Sequence, residues 1–256
     1  MVPENVYGHA KRLKWIESNT QKQDPIIELG CGTGYMITLP MAKQGYSIKG
    51  FDLDEKSIKY GKSIFKSEGL NDSYLSSKDI TSLNISGDVI ILSEVLEHLD
   101  SNEIDKVLMN IRSRLTKNGR LLITIPNGFG WFEFESFFWN KMRIGQIFET
   151  IGIVEIIFQI KKLFWGDAIK QPPHPSTLSD SPHIQRFTLS DIRKILTNNG
   201  FEIIEKRGSV LFAGSFSNLL FHGVKTFLKF NCSLGDFFPS LASGFFIACR
   251  MSKTHY

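Results

Sequence analysis

The stretch IIELGCGTGY, residues 26–35, decides the fold of this 256-residue chain. An apolar strand leads through Glu28 into three alternating glycines, Gly30, Gly32 and Gly34. Glycine adopts positive φ and, without a Cβ, lets a ligand approach the backbone closely. A strand that ends in such a loop and opens a helix forms a nucleotide-binding corner. Because a carboxylate repels phosphate and attracts a cation, Glu28 favours a cationic ligand over a pyrophosphate.

Composition narrows the class of protein. With 42% hydrophobic and 22% charged residues, the chain is expected to form a globular domain with a sizeable core. The net charge of +4 neither demands nor excludes nucleic acid. The three cysteines are far apart and form no CxxC pair, so they predict neither a disulfide framework nor a thiolate zinc site. A reduced, cytoplasmic location is expected, without a signal peptide or a spanning helix.

Strand and helix patterns alternate between Asp24 and Asn127, which predicts βαβ units and a parallel sheet. Helices are predicted at 7–18, 35–44, 55–68, 103–115, 188–199 and 216–230, and strands at 25–29, 46–51, 88–92, 119–125, 201–206 and 244–251. We divide the chain into a leading helical segment (1–23), a cofactor-binding core (24–127), an aromatic helical cap insertion (128–182) and a C-terminal part of the sheet (183–256).

Acidic residues follow the next strands of the predicted sheet. Asp52 ends the second strand, where a carboxylate accepts from both ribose hydroxyls, and Asp54 is placed to cap the next helix. Asp79 and Ile80 stand where the third strand would end, suited to an adenine amino group and ring face. The alternatives are a solvated strand end for Asp52 and a surface turn for Asp79–Ile80.

These residues carry a family resemblance. The segment ELGCGTG at 28–34, Asp52, Asp79–Ile80, EVLEH at 94–98 and LTKNGRLLITIPN at 115–127 resemble the successive motifs of class I S-adenosylmethionine (SAM)-dependent methyltransferases. The likeness extends over residues 24–127, and again over 183–206 and 244–251. It implies SAM as the cofactor and an α/β, doubly wound Rossmann-like fold. We expect a seven-stranded, mostly parallel sheet whose last strand is antiparallel, with a helical cap insertion.

The resemblance also implies the cofactor-binding residues. Glu28 and the loop Gly30–Gly34, which includes Cys31, would receive the cationic methionine end of SAM. Asp52 would bind the ribose, and Asp79 and Ile80 the adenine. Ser93 would lie close to the sulfonium. The remaining candidates for this site are Leu53, Glu94 and Arg12.

Arg12, in the leading helix, is expected to pair with the carboxylate of the ligand. The alternative is that Arg12 lies on a solvated face of that helix.

The segment after the fourth strand narrows the type of methyltransferase. It lacks an Asn/Asp-Pro-Pro-Tyr/Phe element, which argues against amino-group methylation of adenine or glutamine. Its Glu94-x-x-Glu97-His98 pattern resembles the quinone-biosynthesis O-methyltransferase-like group most, and also small-RNA 3′-end methyltransferases, in which two Glu and two His hold a divalent ion. His183 falls where such groups carry another histidine.

Three interpretations of this segment stay open. Glu94 and Glu97 are exposed while His98 packs or caps; or Glu94, Glu97 and His98 converge on one divalent ion; or His98 or His183 acts as a catalytic general base. The metal site is not the favoured one, and its ligands are left unassigned.

The predicted function is methyl transfer from SAM to a small, hydrophobic acceptor, with oxygen favoured over carbon or nitrogen. The alternatives are an RNA 3′-end methyltransferase with a divalent ion and a non-catalytic, cofactor-binding regulatory module. The chain shows neither a marked basic stripe nor a glycine-aromatic RNA-binding motif, which disfavours nucleic acid. The sequence does not indicate the acceptor or the oligomeric state.

The cap insertion is dense in aromatic residues, with ten between residues 131 and 170. Segment 131–165 predicts a buried helical cover over the active site, a surface that touches the inner face of a membrane, or an oligomer interface.

Overall fold

Seven strands form one sheet in the computed structural model, which describes residues 4–79, 85–166 and 174–253. The strand order is β3-β2-β1-β4-β5-β7-β6. Strand β7 runs antiparallel to both of its neighbours, and the remaining pairs are parallel. The strands are β1 (Ile26–Leu29), β2 (Ile48–Asp52), β3 (Leu75–Ser77), β4 (Gly87–Ser93), β5 (Leu115–Pro126), β6 (Phe201–Gly208) and β7 (Gly244–Met251).

Helices cover both faces of this sheet, and short helical turns connect some of the elements. The described α-helices are α1 (His9–Ser18), α2 (Thr38–Lys43), α3 (Glu55–Ser67), α4 (Ser101–Arg114), α5 (Trp131–Ser136), α6 (Ile144–Thr150), α7 (Ile153–Trp165), α8 (Leu189–Asn198), α9 (Ser215–Phe221) and α10 (Lys225–Phe237). A 3₁₀ turn at Leu96–His98 follows β4, and a π-helical turn at Phe137–Lys141 follows α5. The prediction of a doubly wound, mostly parallel seven-stranded sheet with a reversed last strand is confirmed.

Both faces of the central strands are buried because successive side chains alternate between two cores. In β4, Ile90 packs into one core together with α4 and α8. The next residue, Ile91, packs into the other core with α1, α2 and α3. This two-sided burial explains why the central strands are almost continuously apolar in sequence.

Side-chain caps set where three of these helices begin. Asp54 accepts hydrogen bonds from the N–H groups of Lys56 and Ser57 at the start of α3, as its position predicts. Capping boxes start α4 at Asp100 and α8 at Thr188. Such caps satisfy N–H groups that have no partner within the helix. The cap at Asp54 therefore helps to hold the carboxyl end of β2 in place.

Helices α5, α6 and α7 lie in the predicted cap insertion and pack partly against α9. One helix was predicted over 216–230, and that prediction is wrong. The chain instead forms α9 and α10, with a break at Gly223, whose φ is +86°. Helix α2 is also shorter than predicted, because the glycine loop continues through tight turns up to Ile37.

The described part of the chain contains no helix with the length and apolarity needed to cross a bilayer.

Candidate active site

A cavity of about 640 Å³ opens at the carboxyl ends of β1, β2 and β4. In open α/β sheets ligands bind outside these ends, where the strand order reverses, and here it reverses between β1 and β4. Most of the residues predicted from sequence line this cavity: Arg12, Glu28, Gly30, Cys31, Gly32, Asp52, Leu53, Asp79, Ser93, Glu94, His98 and His183.

One predicted cofactor-binding residue lies away from the cavity, and another falls outside the described residues. Gly34 faces the core, where an added Cβ would come within 2.7 Å of Leu75 and 3.2 Å of Phe65. Its φ of +71° closes the glycine loop rather than presenting the residue to the cavity. Ile80 falls outside the described residues.

Asp52 joins the glycine loop to the end of β2. Its Oδ2 accepts a hydrogen bond from Gly32 N–H at 2.6 Å, and its Oδ1 accepts one from Asp54 N–H at 2.8 Å. Each carboxylate oxygen has two lone pairs, so both oxygens keep capacity for a second donor. Asp52 is thus both a structural anchor of the loop and an available acceptor in the cavity.

Glu28 is a buried acid at the floor of the cavity, with 3% of its surface exposed. Thr38 Oγ1 donates a hydrogen bond to its carboxyl group. Burial raises the pKa of Glu28 to about 8, against the opposing effect of the Thr38 hydrogen bond. A positive charge bound next to Glu28 would favour its ionised form, so this acid is suited to a cationic group.

Arg12 reaches from α1 into the cavity and meets Glu94. Its Nη2 lies 3.2 Å from Glu94 Oε1, and Thr124 Oγ1 donates to the same oxygen at 3.0 Å. Arg12 Nη1 also donates to Ser93 Oγ at 3.4 Å. The alternative of a solvated helix face for Arg12 is therefore wrong. Glu94 holds a left-handed backbone with φ +57°, a conformation that costs energy in a non-glycine residue and is often found at functional sites.

A second acidic site lies beside this network. Glu97, His98 and His183 each offer a ligand atom, and these atoms lie within 4.8 Å of one another. His98 Nε2 is 3.9 Å and His183 Nε2 4.0 Å from Glu97 Oε1. The two imidazole rings pack edge to face with centroids 4.9 Å apart. We call these three residues the acid–histidine cluster.

Glu97 is the buried member of the acid–histidine cluster, with 2% of its surface exposed. Neither carboxyl oxygen finds a hydrogen-bond partner among the described residues. Burial, followed by the charge of Glu94, raises the pKa of Glu97 to about 9. Burial therefore favours the neutral form of this carboxyl group. The interpretation in which Glu97 is exposed is wrong.

The cluster differs from the predicted combination of Glu94, Glu97 and His98. Glu94 turns toward Arg12 and Thr124, and His183 takes its place beside Glu97 and His98. Burial lowers the pKa of His183. His183 replaces Glu94 in the cluster because the left-handed backbone at Glu94 separates its side chain from the 3₁₀ turn that follows.

Sequence reasoning missed several residues that line or support the cavity. His9 lies beside Arg12 at the cavity wall, where burial and then that charge lower its pKa to about 3. Thr38 and Thr124 hold the two acids Glu28 and Glu94. Thr38 lies ten residues after Glu28, at the first residue of α2, and nothing else in the sequence marks it. Nothing local marks Thr124, because it reaches Glu94 from a neighbouring strand.

A second cavity, of about 710 Å³, lies near the amino ends of the strands and is lined by polar residues that include Asn19, Asp88 and Arg120. None of the predicted site residues lines it, so it is separate from the candidate active site.

Comparison with known proteins agrees with this arrangement. The family model described as "Methyltransferase domain" matches residues 10–206. The Ubiquinone biosynthesis O-methyltransferase of Rickettsia canadensis is 30% identical over 187 residues, which are 72% of this chain and 65% of that enzyme. The match thus spans less than two thirds of the length of that relative.

Solved structures share the fold. Magnesium protoporphyrin IX methyltransferase from Synechocystis, solved with bound S-adenosylhomocysteine, superposes with a TM-score of 0.55 at 16% identity, covering 96% of this chain and 83% of that one. A SAM-dependent methyltransferase from Methanosarcina mazei superposes with a TM-score of 0.56 at 19% identity, covering 93% and 98%.

Fold, cavity and comparisons together define a SAM-dependent methyltransferase of class I. The chain belongs to the methyltransferase domain family, since the family model matches well over half of its length.

The buried acid Glu28 leads to a stability test. In the folded protein its pKa of about 8 exceeds its ordinary value, so between about pH 5 and pH 8 unfolding releases a proton and the free energy of unfolding falls as pH rises. Glu28→Gln removes this loss. We therefore expect the variant to gain Tm relative to the wild type as the pH is raised from 5 to 8, measured by calorimetry on the protein without SAM.

Glu55→Gln, an exposed change in the first turn of α3, is the matched control and should leave the pH dependence unchanged. Parallel curves for Glu28→Gln and the wild type would show that Glu28 is already ionised in the folded protein.

Proposed function

We propose that this methyltransferase transfers the methyl group of SAM to an oxygen atom of a small, hydrophobic acceptor. The observation that carries the proposal is the shared cavity, which brings the residues expected to bind SAM and two histidines of the acid–histidine cluster into one space. A volume of about 640 Å³ is within the range typical of small-molecule sites. The relative from Rickettsia canadensis, named as a ubiquinone biosynthesis O-methyltransferase, supports oxygen as the acceptor atom.

At the donor end of the cavity, Glu28 would face the methionine ammonium and Asp52 the ribose hydroxyls. Arg12 would bind the methionine carboxylate. Its Nη1 and Nη2 contact Ser93 and Glu94, which also line the cavity. Asp79 also lines the cavity and would face the adenine. Each assignment matches a charge or a hydrogen-bonding group of SAM.

The acid–histidine cluster would form the acceptor end, beyond Ser93, the last residue of β4, and Glu94, which follows it. The acceptor oxygen would attack the methyl carbon in line with the sulfonium, so that the C–O bond forms as the C–S bond breaks. The hydroxyl proton of the acceptor would pass to a ring nitrogen of His98 or His183. Catalysis rests on this placement, since holding two reactants in line supplies much of the rate.

The test is an assay with SAM carrying an isotope-labelled methyl group and a panel of phenols, quinols, sugars, lipids and RNA. With the acceptor that reacts, we expect His98→Ala and His183→Ala to lower kcat by about 10²–10⁴-fold, the usual effect of losing a general base. The Kd for SAM should stay unchanged in both variants, measured by calorimetry.

Asp52→Ala provides the opposite pattern, a weaker Kd for SAM from the loss of a charged hydrogen-bond acceptor. Equal loss of SAM binding in the histidine variants would contradict their placement at the acceptor end. Tight SAM binding with no labelled product across the panel would favour a non-catalytic binding module.

As an alternative, the acid–histidine cluster fits a divalent cation, in which case its histidines would ligate the ion instead of accepting the proton. One carboxylate and two imidazoles form a ligand set used by several divalent transition metals. The unpartnered, buried carboxyl group of Glu97 is the specific observation in favour, because such a group is costly unless it is paired or coordinated. When bound, a cation there would act as a Lewis acid toward an acceptor oxygen. Glu97, His98 and His183 are the residues that would hold it.

Titration with Co²⁺, followed by its visible absorption, tests this role independently of activity. We expect saturable binding to the wild type and its loss in Glu97→Gln, because removing the charged ligand leaves only the two imidazoles. Glu55→Gln is the matched control, since Glu55 is an exposed carboxylate in the first turn of α3 and is not part of the cluster. Binding that is equal in wild type and Glu97→Gln would rule out the cluster as a cation site.

The second part of the proposal concerns the cap. Helix α7 buries one of its lysines and exposes several of its large apolar side chains. Lys161 points inward, and its Nζ donates to the carbonyl groups of Asn218 at 3.4 Å and Leu219 at 3.0 Å in the last turn of α9. Leu163 and Phe164 are instead 82% and 71% exposed.

The exposed apolar surface continues from α7 to the neighbouring α6. Ile147 and Ile151 of the α6 region and Ile156 and Ile160 of α7 are also exposed. An exposed apolar patch of this kind marks an interaction site. Exposed Trp165 and Lys162 complete the composition of an interfacial helix. We therefore propose that α6 and α7 contact a membrane surface, from which a hydrophobic acceptor would reach the cavity.

Co-sedimentation with phospholipid vesicles tests the contact. We expect Leu163→Gln combined with Phe164→Gln to weaken the apparent binding by about tenfold or more, because two large apolar side chains no longer enter the lipid interface. Met109→Gln is the control, an equally polar change at a 66% exposed position on α4.

Unchanged sedimentation of the double variant would refute membrane contact through α7. If the wild type forms a concentration-dependent dimer and the double variant stays monomeric, the surface instead binds a second copy of the chain.

A further inference from the structure

One segment crosses the cavity from the donor side to the acceptor side. Residues 174–185, which we call the strap, are largely exposed and lack regular secondary structure. Ser176, Thr177, Ser179, Ser181 and His183 of the strap line the cavity. Loops normally lie over a protein's surface with few fixed contacts. The strap is different, because its backbone is hydrogen-bonded to three separate parts of the site.

The first attachment is to the glycine loop. Thr33 N–H donates to the carbonyl oxygen of Ser176 at 2.8 Å, and Thr33 Oγ1 donates to the carbonyl oxygen of Pro175 at 2.8 Å. Gly32 lies directly beneath, where an added Cβ would come within 2.2 Å of Ser176 O. The strap therefore rests on the same loop that is expected to receive the methionine end of SAM.

The second attachment is to the start of α3. The fully buried Ser57 accepts a hydrogen bond from Leu178 N–H at 2.7 Å and donates one to Asp54 Oδ2 at 2.6 Å. Asp54 N–H in turn donates to Asp52 Oδ1. A short series of hydrogen bonds thus links the strap to the acid expected to bind the ribose.

The third attachment is to the acid–histidine cluster. Ile184 N–H and Gln185 N–H both donate to the carbonyl oxygen of Glu97, at 2.9 and 3.2 Å. His98 Nδ1 lies 3.1 Å from the carbonyl oxygen of Pro182. These contacts flank His183 and set its distance from Glu97. His183 therefore owes its place in the cluster to the strap rather than to a helix or a strand.

We propose that Thr33 and Ser57 are positioning residues for His183, and that the strap couples occupation of the SAM site to the placement of this histidine. The inference rests on the proposed function, in which His183 lies at the acceptor end. SAM bound between the glycine loop and Asp52 would hold both donor-side attachments in place. The strap, fixed at that end, would in turn fix the position of His183. His183 would thereby reach its place at the acceptor end only in the SAM-loaded enzyme.

Hydrogen–deuterium exchange with and without SAM tests the coupling on the full chain. We expect SAM to slow exchange of the amides of Leu178, Ile184 and Gln185 in the wild type. In Ser57→Ala, SAM should no longer protect the amides of Ile184 and Gln185, although Ser57 makes no hydrogen bond to either residue. Its kcat should fall about tenfold or more, the scale set by a small misplacement of a reacting group.

Three controls separate positioning from general destabilisation. Ser63→Ala changes an exposed serine of the same helix and should leave exchange and kcat unchanged. Thr33→Val removes the bond to Pro175 O with little change in shape and should reproduce the effect of Ser57→Ala. Thr33→Ser keeps the hydroxyl group and should restore both readouts. Thermal unfolding confirms that each variant is folded.

Exchange of the Ile184 and Gln185 amides that SAM does not alter, or that Ser57→Ala leaves as in the wild type, would overturn the coupling while leaving methyl transfer intact. Absence of methyl transfer in the wild type with coupled exchange would instead overturn the proposed function and leave the strap's response to SAM standing.

Discussion

The rest of the site depends on the carboxylate of Asp52. It accepts hydrogen bonds from Gly32 and Asp54, and so ties the glycine loop after β1 to the end of β2 and the start of α3. Parallel strands alone would bring these loops to one edge of the sheet but would leave their spacing undefined. With the loop fixed, Gly32 offers a flat surface on which the strap can lie.

Two buried acids give the cavity its electrostatic character. Burial raises the pKa of Glu28 to about 8 and that of Glu97 to about 9, so each is held ready to gain from a positive charge brought next to it. Both line one cavity, together with the ion pair of Arg12 and Glu94. Perturbed acids gathered in a cleft are a common feature of functional sites. A protein selected for stability alone would have little reason to keep them.

Much of the fold could be predicted because its signals are local. The apolar strands, the cap at Asp54 and the helix start at Thr188 depend on residues within a few positions of one another. The residues that follow β1, β2 and β4 were expected to meet, since the carboxyl ends of parallel strands share an edge. The break at Gly223 was missed because apolar periodicity continues across it and one glycine does not always end a helix. The burial of Glu97 was missed because its sequence neighbours resemble those of an exposed turn.

By itself, the sequence determined the α/β sheet, the glycine loop and the set of acids around it, because each of these depends on short-range patterns that repeat in a known order. Only the tertiary structure decided which residues join the acid–histidine cluster, with His183 taking the place expected of Glu94. It also decided that the strap lies on Thr33 and that α7 turns Lys161 inward. These contacts join distant parts of the chain, often through backbone atoms that carry no sequence signature, so no local pattern could have predicted them.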